Sequence, residues 1–246
     1  MHCTGGHGWS APEANDQFGV VLVRDGLFRR QVDGVPEIVD ASSFYLATPG
    51  TEERFDHPCG ADVCTALTLP AELLGSLGDP ERRLTRRVLP LPAGFDLRHR
   101  RLLARAAYAE PFELSEHVLA LVGDLFAVLA KETPAHGRGQ TSFAVNVRVL
   151  LHVEPALRLS EMAKQLGVAP YTLSRAFRSA TGITISRYRR RMRTHRALEL
   201  LHDGLHDLAQ LASECGFADQ SHLTRAVREE YGATPARLRA LLCTEE

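Results

Sequence analysis

The sequence predicts an α+β protein of two domains, an antiparallel β-barrel or sandwich followed by an all-α domain built on two helix-turn-helix units. Three observations carry this. Short β-branched stretches punctuated by turn residues fill the first seventy positions, apolar residues at helical spacing take over from Ala71, and one helical hairpin pattern occurs twice between Leu159 and Pro235. With 246 residues, 44% hydrophobic and 24% charged, the chain can build two modest cores and falls outside the fibrous and wholly disordered classes.

The strands come first. In FGVVLVRDGLFRRQVDG, an aliphatic run meets the turn pair Asp25-Gly26, alternation resumes, and Asp33-Gly34 closes a second hairpin. Asp40-Ala41 and Pro49-Gly50 interrupt EIVDASSFYLATPGTEERFDH, and VCTALTL adds a further strand. Such short strands between frequent turns build a small antiparallel barrel or sandwich.

From Ala71 the pattern turns helical. AELLGSLG predicts a short helix, GDPERRLTRRVLPLPAG a basic connector broken by proline, and DLRHRRLLARAAYAE and LSEHVLALVGDLFAVLAKE two longer helices around Pro111. Val118, Leu121, Val122, Leu125, Phe126 and Leu129 follow i, i+3, i+4, i+7 spacing and form a wide apolar stripe that must be buried, on a second copy of the chain or on the protein's own barrel. TPAHGRGQTS has the composition of a linker, so the expected domains are residues 1–132 and 143–246, joined by 133–142. Beyond it, SFAVNVRVLLHVEPALRL predicts a helix with Val147, Leu150 and Leu151 on one face, ending before Pro155.

The repeated hairpin reads LSEMAKQLGVAPYTLSRAF and LAQLASECGFADQSHLTRAV, matching Leu159 with Leu208, Ala163 with Ala212, Gly167 with Gly216 and Leu173 with Leu223. Two short helices that cross steeply need a small residue at the crossing, and the turn between them leaves the first helix through a left-handed conformation that favours Gly. Leu173 with Phe177, and Leu223 with Val227, give each second helix an apolar pair for its partner. Ser160 and Asp219 read as N-caps, and Pro170 suits a first helical position. Each copy carries an Arg two residues past the matched Leu, Arg175 and Arg225. Between the copies, RYRRRMRTHRALELLHDG predicts one long bridging helix rich in arginine, and Thr234 with Pro235 would open a terminal helix.

This double hairpin, with its arginine-rich bridge and the stretch GFADQSHLTRAVREEYGATP, resembles the DNA-binding domain of the AraC/XylS regulators over about 100 C-terminal residues. The resemblance implies that the second helix of each unit enters a major groove, with Tyr171, Ser174 and Arg175, and Gln220, Ser221, His222 and Arg225, toward the bases. Two such helices would enter adjacent grooves about 34 Å apart and cover about 15 to 20 base pairs. Arg190 and its neighbours in the bridge would touch phosphate. Ala169 departs from the Ser or Thr cap usual at its place. The resemblance also implies a cupin-like N-terminal domain that responds to a small effector, dimerisation helices where the apolar stripe lies, a homodimer, and room for RNA polymerase as a partner.

The charge balance fits that division. From Thr141 onward 15 Lys and Arg stand against 11 Asp and Glu, leaving 14 against 19 before it, so a mildly acidic front precedes a basic back. No run of about 18 apolar residues and no leader-like N-terminus is present, so a cytoplasmic protein without membrane partners is expected. No His-x-His pair occurs before residue 70, which argues against a metal-dependent cupin oxygenase and for a chain that is not an enzyme.

Five cysteines, an odd number, argue against a disulfide framework. Cys3, His57, Cys59 and Cys64 would form a zinc site if the first strand pairs beside the hairpin carrying residues 57–64. The same thiols could act as a switch, or fill the core, while His2 and His7 read as solvated. Two functional readings follow. One is a DNA-binding transcriptional regulator whose front domain senses a small ligand, a metal or a thiol-reactive signal. The other is a DNA-binding protein whose front domain accepts an alkyl group or an oxidant on a reactive cysteine.

Overall fold

The computed structural model describes residues 2–3, 8–70, 88–92, 94–131 and 142–242. The short helix expected at 71–78, most of the basic connector and nearly all of the linker at 133–142 lie outside these residues. The chain divides into two compact units, residues 1–90 with 134–189 and residues 91–133 with 190–246.

The strands are β1 (His2–Cys3), β2 (Glu13–Ala14), β3 (Phe18–Asp25), β4 (Leu27–Val32), β5 (Val35–Asp40), β6 (Ser43–Ala47), β7 (Glu52–Asp56), β8 (Asp62–Leu69) and β9 (Val88–Pro90). The helices are α1 (Phe95–Arg105), α2 (Pro111–Lys131), α3 (Ser142–Val153), α4 (Leu159–Gln165), α5 (Pro170–Thr181), α6 (Ile185–His202), α7 (Leu208–Glu214), α8 (Gln220–Tyr231) and α9 (Pro235–Leu242).

In the first unit the strands form two antiparallel sheets, ordered β1-β8-β3-β6-β9 and β2-β7-β4-β5. Of the barrel or sandwich expected from the sequence, the described residues form two separate sheets, and the barrel is not closed among them. Three of the four edge strands, β1, β2 and β9, are only two or three residues long, the fourth being the six-residue β5, and among the described residues no strand joins the two sheets. Gly26 (φ 83°) makes the β3–β4 turn, where a Cβ would come within 2.9 Å of the Asp62 side chain, so only glycine fits both the backbone and the space. Val23, Phe28, Val39, Tyr45, Ala47 and Cys64 pack together in the interior. A charged pair joins them: Arg30 bonds Glu53, both shielded from water, and its guanidinium lies 4.1 Å from the Tyr45 ring centre.

A second buried charge ties the sheets to the helices of the same unit. Asp40, at the end of β5, is fully buried and accepts hydrogen bonds from the Ser42 backbone N–H (2.9 Å) and hydroxyl (2.5 Å) and from Tyr188 Oη (2.7 Å). Arg148 of α3 lies 3.5 Å from the same carboxylate. Burial alone would raise the Asp40 pKa, but the Arg148 guanidinium, His152 and the Ser42 and Tyr188 hydrogen bonds hold it well below the usual carboxylate range. Burial and the adjacent carboxylate push Tyr188 well above the usual phenol range.

In the second unit Leu198, Leu201, Leu211, Leu223, Val227 and Leu238 form a common core for α6, α7, α8 and α9. α2 packs on α1, and Leu121, Val122 and Leu125 from the apolar stripe are buried within the chain itself. Val118 and Phe126 are half-buried. Buried polar pairs recur here. Asp96 of α1 pairs with His195 and accepts from Tyr231 Oη (3.0 Å), and Arg100 pairs with Glu199. Burial would raise the Asp96 pKa, yet His195, Arg100 and the hydrogen bonds lower it. No described helix is long and apolar enough to cross a membrane.

Because the folded-state pKa of Asp40 is depressed, its stabilisation is present above the unfolded carboxylate value near about 4 and is lost as pH falls through and below it. Asp40→Asn is expected to cost about 2–4 kcal/mol in urea unfolding at pH 7, and to remove part of the stability loss that the wild type shows on acidification.

Candidate nucleic-acid interface

The two hairpins fold by the same local rules. In the first, α4 begins at Leu159, and the Glu161 carboxylate accepts the Arg158 backbone N–H at 2.7 Å. Ser160 therefore lies inside the helix and is not its cap, because Glu161 already satisfies the end. Gly167 (φ 66°) ends the helix in the left-handed region, and Ala163, 1% exposed, sits at the crossing. Pro170 opens α5 behind Ala169, which makes no side-chain cap bond. In the second hairpin Asp207 caps α7 by accepting Ala209 N–H (2.8 Å), a cap that sequence reading missed although Asp before an apolar run is its usual signal. Gly216 (φ 70°) makes the turn, and Asp219 caps α8 through the His222 N–H at 2.7 Å.

Each second helix is divided into two faces. On α5, Leu173 and Phe177 are fully buried. Tyr171, 74% exposed, and Arg175 face solvent, with Ser174 half-buried beside them. On α8, Leu223 and Val227 are buried, whereas Gln220, Ser221, His222 and Arg225 are exposed. The His222 ring stands edge-on to Phe217, with ring centres 5.2 Å apart. The side chains nearest each helix start are thus presented on a fixed scaffold, with polar and cationic groups outward.

The bridging helix α6 uses its arginines in different ways. Arg189 donates to the Leu157 carbonyl, and Arg191 pairs with Glu230 at 3.2 Å. Arg193 lies against Gly216, its guanidinium 3.5 Å from where a Cβ there would sit. Arg189 thus serves packing within the first unit, and Arg191 and Arg193 within the second, a role that a run of arginines does not disclose in sequence. Arg190 pairs with Glu229 at 2.7 Å, and both side chains are about half exposed, so water weakens the pair and a phosphate could replace the carboxylate. Arg187 is exposed.

The cysteine cluster is only partly assembled. β1 does pair beside the hairpin, with Cys3 opposite Asp62 and His2 opposite Val63. The Cys3 side chain lies outside the described residues. His57 Nδ1 is 2.5 Å from Asp62 Oδ1, the buried Cys64 thiol donates to Asp62 Oδ2 at 3.0 Å, and the half-buried Cys59 thiol faces the Val149 carbonyl at 3.9 Å. Among the described residues no group of three or more His, Cys, Asp or Glu side chains is arranged to hold a metal ion. Burial, helped by Asp56 and opposed by Arg29, pushes the Cys59 thiol up to about 11.

A chain with two helix-turn-helix units on one arginine-rich bridge, each presenting a polar face over a buried one, belongs to the class of double helix-turn-helix proteins. Residues 162–240 match the family model for a helix-turn-helix domain. Among curated proteins, the chain is 27% identical over 135 residues to the Msm operon regulatory protein of Streptococcus mutans, which covers 51% of this chain and 49% of that protein. It is 29% identical over 118 residues to the HTH-type transcriptional activator RhaS of Escherichia fergusonii, covering 47% and 42%. A solved transcriptional regulator with an AraC-type DNA-binding domain, from Chromobacterium violaceum, aligns at 25% identity and a TM-score of 0.41, over 45% of this chain and all of that one. The chain spans about half the length, or less, of the curated relatives it matches. Its helix-turn-helix part is similar to the corresponding part of these transcriptional regulators.

Its raised pKa leaves Cys59 with less thiolate at neutral pH than an ordinary thiol. Iodoacetamide modification followed by peptide mass spectrometry is therefore expected to label Cys59 far more slowly than a cysteine in a denatured control.

Proposed function

We propose that this protein is a sequence-specific DNA-binding transcriptional regulator that reads double-stranded DNA with α5 and α8. The observation that carries the reading is the exposure of Tyr171, Arg175, Gln220, Ser221, His222 and Arg225 on helices whose opposite faces are locked into the core. Arg175 and Arg225 have the fork geometry that reads guanine through O6 and N7, and Gln220 can read adenine. Ser174, Ser221 and Tyr171 supply hydroxyls for base edges or phosphate. Arg190 and Arg187 on the bridge supply sequence-independent attraction to phosphate.

In this reading residues 143–246 form the DNA-binding domain, and residues 1–132 form a domain that senses a small molecule, with 133–142 between them. The chain acts as a homodimer, contacts RNA polymerase at the promoter and carries out no catalysis. The buried thiols favour the sensor over the reactive-cysteine alternative. Cys59 is driven toward its protonated form, and Cys64 donates to a buried carboxylate, an arrangement that disfavours a nucleophilic thiolate. A metal on Cys3, His57, Cys59 and Cys64 would need His57 and Cys64 to leave Asp62.

Mobility-shift titrations on a selected operator and a scrambled duplex test the site residues. Arg225→Ala is expected to weaken operator binding about 10- to 100-fold and to leave the scrambled duplex nearly unchanged. Arg190→Ala is expected to weaken both duplexes by the same factor and to reduce the slope of log affinity against log salt by about 0.9. Equal losses on both duplexes for Arg225→Ala would remove it from base reading.

A further inference from the structure

α1 and α2 enclose a groove of about 170 Å³ whose chemistry differs from that of the recognition helices. Its floor is Leu102, Leu114 and Leu121. One wall carries Arg98, Arg101 and Arg105, which share a face because they recur at i, i+3 and i+7 along α1. The other wall carries Glu113, His117, Ala120 and Asp124 from α2 at the same kind of spacing. The walls are joined near the two ends, by Arg98 with Asp124 at 2.7 Å and by Arg105 with Glu113 at 4.0 Å. These pairs offset the charge of two of the three guanidinium groups, both at positions open to water. Arg101, half-buried between them, has no hydrogen-bond or ion-pair partner among the described residues. His117 donates its Nδ1–H to the Glu113 carbonyl at 2.8 Å and so stays on its own helix.

From this arrangement we infer that the α1–α2 groove is a binding site for a small monocarboxylate with a short apolar tail. The carboxylate pairs in a forked fashion with Arg101, and the tail lies on the leucine floor. A single unmatched positive charge selects a monoanion over a dianion, and the apolar floor selects a hydrocarbon tail over a bare inorganic anion. The volume sets the size of ligand at a few carbon atoms and excludes a long chain lying wholly inside. The site stands apart from the DNA-binding reading, since its readout is ligand binding to the protein alone.

The test uses the full chain and hexanoate, with hexan-1-ol and inorganic phosphate as comparison probes, read by saturation-transfer NMR and calorimetry. Hexanoate is expected to bind at least tenfold more tightly than either comparison probe. Arg101→Gln, at a half-buried position of the groove wall, is expected to weaken hexanoate at least tenfold while leaving hexan-1-ol unchanged. Ala120→Trp, which fills the groove from an exposed position, is expected to abolish binding of both. Circular dichroism confirms that each variant is folded. Three results overturn the inference: no hexanoate binding, wild-type hexanoate affinity in both folded variants, or phosphate binding as tightly as hexanoate. Self-association that Ala120→Trp breaks, with no hexanoate bound to the wild type, also overturns it by making the face an interface between copies.

Discussion

A carboxylate removed from water keeps its charge only if the protein supplies partners, and Asp40 and Asp96 impose that condition on both units. Asp40 obtains Tyr188 from the bridging helix and Arg148 from α3. Asp96 obtains His195 from the same bridge and Tyr231 from the end of α8. Each cluster fixes a helix of the helix-turn-helix region against a residue from the first hundred positions of the chain. The apolar cores supply most of the burial, but they tolerate small slippages that a fully desolvated charge does not. The positions of α6 and α8, and so of the side chains they present, depend on these contacts.

The hairpins were legible in sequence because their geometry is local. A steep crossing needs Ala163 and Ala212, and a left-handed turn needs Gly167 and Gly216, so residue type and spacing suffice. The strands were legible for the same reason, through Asp25-Gly26 and Asp33-Gly34. The Asp40 cluster was not legible, since Tyr188 is 148 positions away and nothing periodic links the two. Nor did the run of arginines in the bridge say which ones serve the scaffold. Arg189, Arg191 and Arg193 are assigned by what the neighbouring helices offer them, a carbonyl, a carboxylate and a glycine. Ser160 was misplaced because a capping residue is read from its type, while the helix began one residue earlier and Glu161 closed it.

The front of the chain shows a related division. Strand spacing gave the antiparallel sheets, but closure depends on edge pairing that spacing does not record, and among the described residues the two sheets share no paired edge. Cys59 and Cys64 are near one another in sequence, and Cys3 joins them only through the pairing of β1 beside β8. In the structure Asp62 takes the contacts of His57 and Cys64, so the nearest carboxylate decides the chemistry of that hairpin. On α1 the arginines were visible as a basic helix. Only the placement of Asp124 and Glu113 on α2 separates the paired Arg98 and Arg105 from Arg101.

The most direct test of the central claim is selection of duplexes from a random library by the full-length protein, followed by affinity measurement at fixed salt. Recognition by α5 and α8 predicts enrichment of one motif, bound at least about a thousandfold more tightly than its scrambled form. Failure to enrich any motif, or equal affinity for the enriched and scrambled duplexes, would contradict the assignment of these helices to sequence reading.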